Sequence, residues 1–166
     1  MTEEPSTDET AGDARYGTKT GFNPSGSDPL EQLRGHAREH PFIAEMGIAF
    51  ESFEDGTLEA SIPHNDRWAN PGMEGTLHGG IVVAYLDTVM GFAIMATAAD
   101  RPLTSGPTIA LNTNFLTPAA DRMTATGEVV RIGSSSAVVD GRLEDAESGE
   151  VVATAQGVWR VYPLEE

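Results

Sequence analysis

His78-Gly79-Gly80 opens a long apolar run that is interrupted by one carboxylate, Asp87. Glycines at the start of a helix leave backbone N–H groups bare of side chains, and the helix dipole adds partial positive charge there. Such donors can hold the negative oxygen of a tetrahedral acyl intermediate, where one donor is typically worth about 2.7 to 4 kcal/mol. The glycine pair can equally serve close helix–sheet packing. Asp87 is harder to account for by packing, because a carboxylate in an apolar helix is costly unless it is paired, hydrogen-bonded or functional. It can deprotonate a water that attacks a carbonyl, or attack the carbonyl itself to form a mixed anhydride. An aspartate satisfied by Thr88 or by nearby backbone is the structural alternative.

One helix cannot complete this chemistry alone. Gly80 and Asp87 are seven residues apart, close to two turns, which places them on one face but about 10 Å apart along the axis. A donor and a base must each approach the same carbonyl or its water to about 3 Å. Two such helices side by side across a dimer axis would bring the N-terminus of one to the Asp87 of the other. A homodimer with shared sites is therefore expected, with a tetramer as a further possible assembly.

The surrounding elements follow from punctuation and period. Asp28-Pro29-Leu30-Glu31 has the form of a capped helix start, with Glu31 reaching back to the cap and the helix running to about Arg38. Two strands are predicted over 47–54 and 57–63, joined by an Asp55-Gly56 turn; Leu58, Ala60 and Ile62 alternate with polar neighbours. The apolar run over 79–99 is predicted as a helix wrapped on most sides by a sheet. It is long enough for a membrane span, but Asp87 would lie near the bilayer centre and basic flanks are few, so no membrane association is expected. Strands are then predicted over 108–117, 123–133, 136–144 and 151–162. The fold class is α+β, with an antiparallel sheet around a long central helix.

Composition narrows the field of functions. Residues 1–27 are acidic and poor in large apolar side chains, and are predicted to be a disordered tail before a single domain over 28–166. Without cysteine there is no thiolate nucleophile, disulfide or Cys-ligated metal. His36, His40 and His64 share no metal-ligand spacing, so no metal is expected and these histidines read as surface or packing residues. With 26 acidic residues against 10 basic ones, and Lys19 the only lysine, nucleic acid is a poor partner. The net charge of −16 fits a surface adapted to high salt, in which an anionic substrate is hardly repelled. The N-terminus has no basic segment followed by an apolar run, so a cytoplasmic location is expected.

Asn70, Gly75-Thr76-Leu77-His78-Gly79-Gly80, Leu86-Asp87 and Gly91 together resemble the phenylacetic-acid-pathway (PaaI-like) branch of hot-dog thioesterases, over about residues 40–162. The resemblance implies a hot-dog fold and hydrolysis of an acyl-CoA thioester, aryl-acyl groups such as phenylacetyl included. In this family an Asp eight residues after the first glycine is the catalytic carboxylate, which Asp87 matches. The corresponding glycine N–H, here Gly79, polarises the thioester carbonyl, and His78 is counted with the site. Asn70 matches an upstream Asn, with a longer spacing through Pro71-Gly72-Met73-Glu74. Gly80 is a further substrate-binding candidate. Thr108 lies on a strand that carries a site hydroxyl in related enzymes, although a plain strand threonine reads equally well. Arg67, Arg122 and Arg131, with the backbone around Ser134, are candidates for the CoA phosphates. Family members generally use no organic cofactor or metal. Two other functions remain open within this fold: hydration or dehydration of acyl thioesters, and acyl-CoA binding without turnover. The Asp followed six residues later by His, typical of hydratases, does not occur here.

Overall fold

The computed structural model describes residues 28–73, 75–98 and 103–163; the predicted tail over 1–27 lies outside the described residues. Asp28 caps the first helix, α1 (Pro29–Glu39), by accepting from the Leu30 N–H at 3.0 Å, and Pro29 occupies its first turn. Glu31, expected to reach back to this cap, instead pairs with Arg34 at 2.6 Å. Arg34 also donates to the carbonyls of Phe50 and Glu51, which ties α1 to the sheet. The extended conformation of His40 ends α1, as Pro41 requires of its predecessor, and a second short helix, α2 (Pro41–Met46), begins at that proline. This helix is not predicted from the sequence, since six residues are too few to display a period.

Strands β1 (Ala49–Glu54) and β2 (Thr57–Ile62) form the expected hairpin, whose turn residues Asp55 and Gly56 both have positive φ. The central helix, α3 (Gly79–Thr97), follows; then come β3 (Leu103–Phe115), β4 (Met123–Ile132), β5 (Ser136–Asp145) and β6 (Val151–Pro163). All six strands make one antiparallel sheet in the order β1-β2-β4-β5-β6-β3. The onset of β3 is five residues earlier than the predicted Thr108. Gly106-Pro107 falls where the register with β6 shifts, on an edge strand, which is where a sheet tolerates proline.

One side of α3 packs on the sheet through Val82, Tyr85, Leu86, Val89, Met90 and Ala93, none more than 2% exposed. Fully burying a large apolar side chain contributes about 1.5 to 3 kcal/mol, so this contact is a main source of stability. Gly127 and Gly141 face each other across β4 and β5, and a side chain at Gly127 would come within 3.0 Å of the Met90 backbone. The pair opens a notch into which the helix settles. The helix is covered on most sides, as expected, with Ile81, Val83, Ala84, Asp87, Thr88 and Gly91 forming a strip that is only partly buried. By length and composition α3 could cross a membrane, but its apolar side is taken up by the sheet.

Candidate active site

The approach to α3 is held from both flanks. Leu77 N–H donates to the Ala119 carbonyl at 2.8 Å and His78 N–H to the Trp68 carbonyl at 2.7 Å. Asn70 braces the same loop, donating its backbone N–H to Thr76 and its side-chain amide to the Leu77 carbonyl at 3.3 Å. Asn70 thus supports the strap leading to His78 and does not reach Asp87.

His78 is the N-cap of α3, with extended backbone, and its Nδ1 accepts from the Gly80 N–H at 3.0 Å. In a neutral ring this leaves the proton on Nε2. A side chain at Gly80 would come within 3.0 Å of the same Nδ1, so anything larger than glycine there crowds the cap. The cap also divides the two candidate donors. Gly80 N–H is taken by His78, whereas Gly79 N–H meets no acceptor among the described residues. Gly79 faces the ring of Phe115, 3.3 Å from where its Cβ would lie, and both residues line a cleft of about 300 Å³ with Met73, Leu77 and Leu116.

Asp87 sits two turns further along on the partly open strip of α3, and its Oδ1 accepts from the Thr108 hydroxyl at 2.7 Å. Thr108 lies opposite Trp159 in the β3–β6 ladder, so the edge of the sheet positions this hydroxyl. Asp87 and Thr108 line a second cavity, of about 340 Å³, to which the α1–α2 corner contributes His36, His40 and Phe42. The two histidines, read from the sequence as surface or packing residues, therefore share a cavity with the carboxylate. No local signal marks this, because the contact is made across the fold. Burial, then the neighbouring His40, hold the His36 imidazole below the ordinary histidine range, against an upward push from Glu39. Its ring packs on Phe92 at 5.5 Å, and Phe92 stacks on Phe50 at 4.9 Å.

The two cavities have no lining residue in common. A third and larger one, about 400 Å³, lies between α1 and β1 around Arg34 and Arg38 and contains neither Asp87 nor Gly79. The phosphate candidates are dispersed. Arg131 shares a row of the sheet with Val138, Val158 and Ala110, about 14 Å from β3 at three strand spacings. Ser134 is exposed in the β4–β5 turn, which a Gly133–Ser136 hydrogen bond of 2.8 Å closes. Arg67 pairs with Glu45 and lies over Trp68, and the Arg122 carbonyl accepts from Ala146. None of these four lines either cavity.

Residues 74–152 match the family described as the Thioesterase superfamily. A candidate esterase of Halobacterium salinarum is 31% identical over 150 residues, covering 86% of this chain and 97% of that protein. The solved structure of a Q49A variant of the Pseudomonas aeruginosa thioesterase PA1618 superposes with a TM-score of 0.71 at 29% identity, covering 81% of this chain and 94% of that one. A thioesterase structure from Haemophilus influenzae has the same TM-score at 24% identity, covering 82% and 92%, and shows likeness of fold. A six-stranded antiparallel sheet packed on one long helix, a carboxylate on that helix and these relatives agree: the chain has the hot-dog fold and belongs to the thioesterase superfamily.

Proposed function

We propose that the protein is an acyl-CoA thioesterase of the PaaI-like branch, acting as a homodimer whose sites are each built from both subunits. The observation that carries this reading is the separation of Asp87 and Gly79 into two cavities beside a free sheet edge. Strand β3 is thirteen residues long, has among the described residues β6 on one side only, and exposes Ile109 and Phe115, with Leu116 exposed just beyond its end. Such an edge is a template for pairing with another strand. Thr108, next to Asp87, and Phe115, next to Gly79, lie near opposite ends of the exposed stretch, about 23 Å apart along the strand. Antiparallel pairing of two β3 edges about an axis between Leu111 and Asn112 sets Thr108 opposite the partner subunit's Phe115. Asp87 then approaches the partner subunit's Gly79, as the chemistry requires.

In that site the free Gly79 N–H receives the thioester oxygen as it gains charge. Asp87, oriented by Thr108, either takes a proton from the attacking water or attacks the carbonyl carbon to form an anhydride that water then opens. In both routes the C–S bond breaks, CoA leaves as a thiolate and the acyl group ends as the free acid. His78 holds the helix start so that Gly79 remains the open donor. The acidic surface supports a requirement for high salt.

The test is thiol release from a panel of aryl-acyl and fatty acyl-CoAs in molar potassium chloride, comparing the wild type with Asp87→Asn. A loss of at least about a hundredfold is expected, within the range for a general acid–base residue. An Asp87→Asn protein that retains wild-type turnover rules out this assignment. Folded wild type that hydrolyses none of the panel points to a binding module.

A further inference from the structure

We infer that the groove between α1 and β1 is a binding site for a small carboxylic acid with an apolar body, separate from the Asp87 cavity and independent of the thioesterase reading. At about 400 Å³ it is larger than either of the other two cavities, and Ala37, Ala44, Ile48 and Phe50 give it an apolar floor. Its only charged lining residues are Arg34 and Arg38, in a chain with 26 acidic residues against 10 basic ones. The two arginines are four residues apart on α1 and so project from one face of the helix. His36, two residues from each, leaves the helix on the opposite side, where it lines the Asp87 cavity. The body of α1 therefore separates the two sites.

The class of ligand follows from what the two guanidinium groups have left to offer. Arg34 is anchored: its Nε and Nη2 donate to the carbonyls of Phe50 and Glu51, and its Nη1 pairs with Glu31 at 2.6 Å. Arg38 has no hydrogen bond or ion pair among the described residues. Its Nη2 lies back along the helix, 3.9 Å from where a Cβ on Gly35 would be, over the turn that carries Arg34. Glu31 offsets the charge of Arg34, so the positive charge of Arg38 is the one left without an internal partner. A carboxylate matches it, because it carries a single negative charge and accepts two parallel N–H bonds from a guanidinium. A phosphate monoester brings about −1.5 to −2 at pH 7, into a chain whose net charge is already −16. An uncharged ligand leaves Arg38 unused, and an anion without an apolar body leaves the floor of the groove wet.

Binding is read without turnover, by NMR titration of the full-length protein in molar potassium chloride. The probes are 4-phenylbutyrate, its uncharged counterpart 4-phenylbutyramide, and inorganic phosphate. The acid is expected to bind about tenfold more tightly than either of the others, near the lower end of what a hydrogen bond to a charged group contributes. Arg38→Leu should remove the difference between acid and amide, while Arg38→Lys, which keeps the charge but not the planar fork, should retain part of it. Arg38 has no partner in the fold, so both variants are expected to fold as the wild type does, which circular dichroism checks. Ala44→Trp, which fills the groove and leaves both arginines in place, should weaken acid and amide together. No binding of the acid by the wild type, equal binding of acid and amide, or phosphate bound as tightly as the acid overturns the inference. So does an acid preference that survives in Arg38→Leu, since the acid then binds elsewhere, the Asp87 cavity included.

Discussion

Thr108 and Asp87 show how a side chain with little meaning in the sequence acquires a role in the fold. Their 2.7 Å hydrogen bond joins a hydroxyl of the edge strand to the one carboxylate on α3, and a bond to a charged group contributes about 1.5 to 3 kcal/mol. Removing it should leave the carboxylate in place but free to rotate. Thr108→Val is therefore expected to lower kcat by about tenfold with a smaller change in KM, while Thr108→Ser retains most of the rate; steady-state kinetics on an acyl-CoA decides this. Equal kinetics for Thr108→Val and wild type would show that the bond plays no part in orienting the base. Asp87 stands out in the sequence because an apolar stretch makes a polar interruption conspicuous, whereas Gly79 and His78 are singled out by the family resemblance. The division of labour between the glycines is not legible there, since it depends on the His78 ring turning back to occupy Gly80. His36 and His40 carry no such contrast: one sits in a polar helix and the other ends it, and only the fold brings them to the cavity of Asp87.

Among the elements, α3 and the hairpin of β1 and β2 were legible because their signals are local: a long apolar composition for one, and a turn pair flanked by alternation for the other. The start of strand β3 is not legible locally, since the cost of Gly106-Pro107 depends on whether the strand is central or at an edge, a property of the assembled sheet. The contact between α3 and the sheet is not fully satisfied. The Tyr85 hydroxyl is buried with no hydrogen-bond partner among the described residues, and burial raises its phenol above the ordinary range. Tyr85→Phe should then stabilise the protein by about 1 kcal/mol in denaturant unfolding. The raised folded value means that the contribution of Tyr85 is fully present below the unfolded tyrosine value, about 10, and fades as pH climbs through the folded one. The Phe variant should accordingly lose less stability than wild type in alkaline solution. A variant less stable than wild type at neutral pH would mean that the hydroxyl is satisfied in the folded protein.

At the scale of the whole molecule, a net charge of −16 meets a proposed site that needs a second copy of the chain. The Debye length contracts from about 10 Å at 0.1 M salt to about 3 Å at 1 M, so salt should relieve repulsion both within a subunit and between subunits. Thermal unfolding is expected to move upward, and sedimentation from monomer to dimer, as potassium chloride is raised through this range. Insensitivity of both to salt would separate the acidic composition from stability and assembly. The expectation of a dimer comes from the helix repeat, which keeps Gly80 and Asp87 about 10 Å apart. The edge that makes it possible became apparent only with the strand order.

The shared site is tested most directly by mixing two inactive proteins. Gly79 is the first residue of α3 and His78 before it is extended, so Gly79→Pro removes the proposed donor at a position where helices accept proline. The other partner is Asp87→Asn. Each variant alone is expected to lose about a hundredfold or more in thiol release. After unfolding together and refolding in molar potassium chloride, random pairing gives half mixed dimers, each with one intact site, and about a quarter of wild-type activity should return. A mixture no more active than its parts, with mixed dimers demonstrated by native mass spectrometry, would contradict the account.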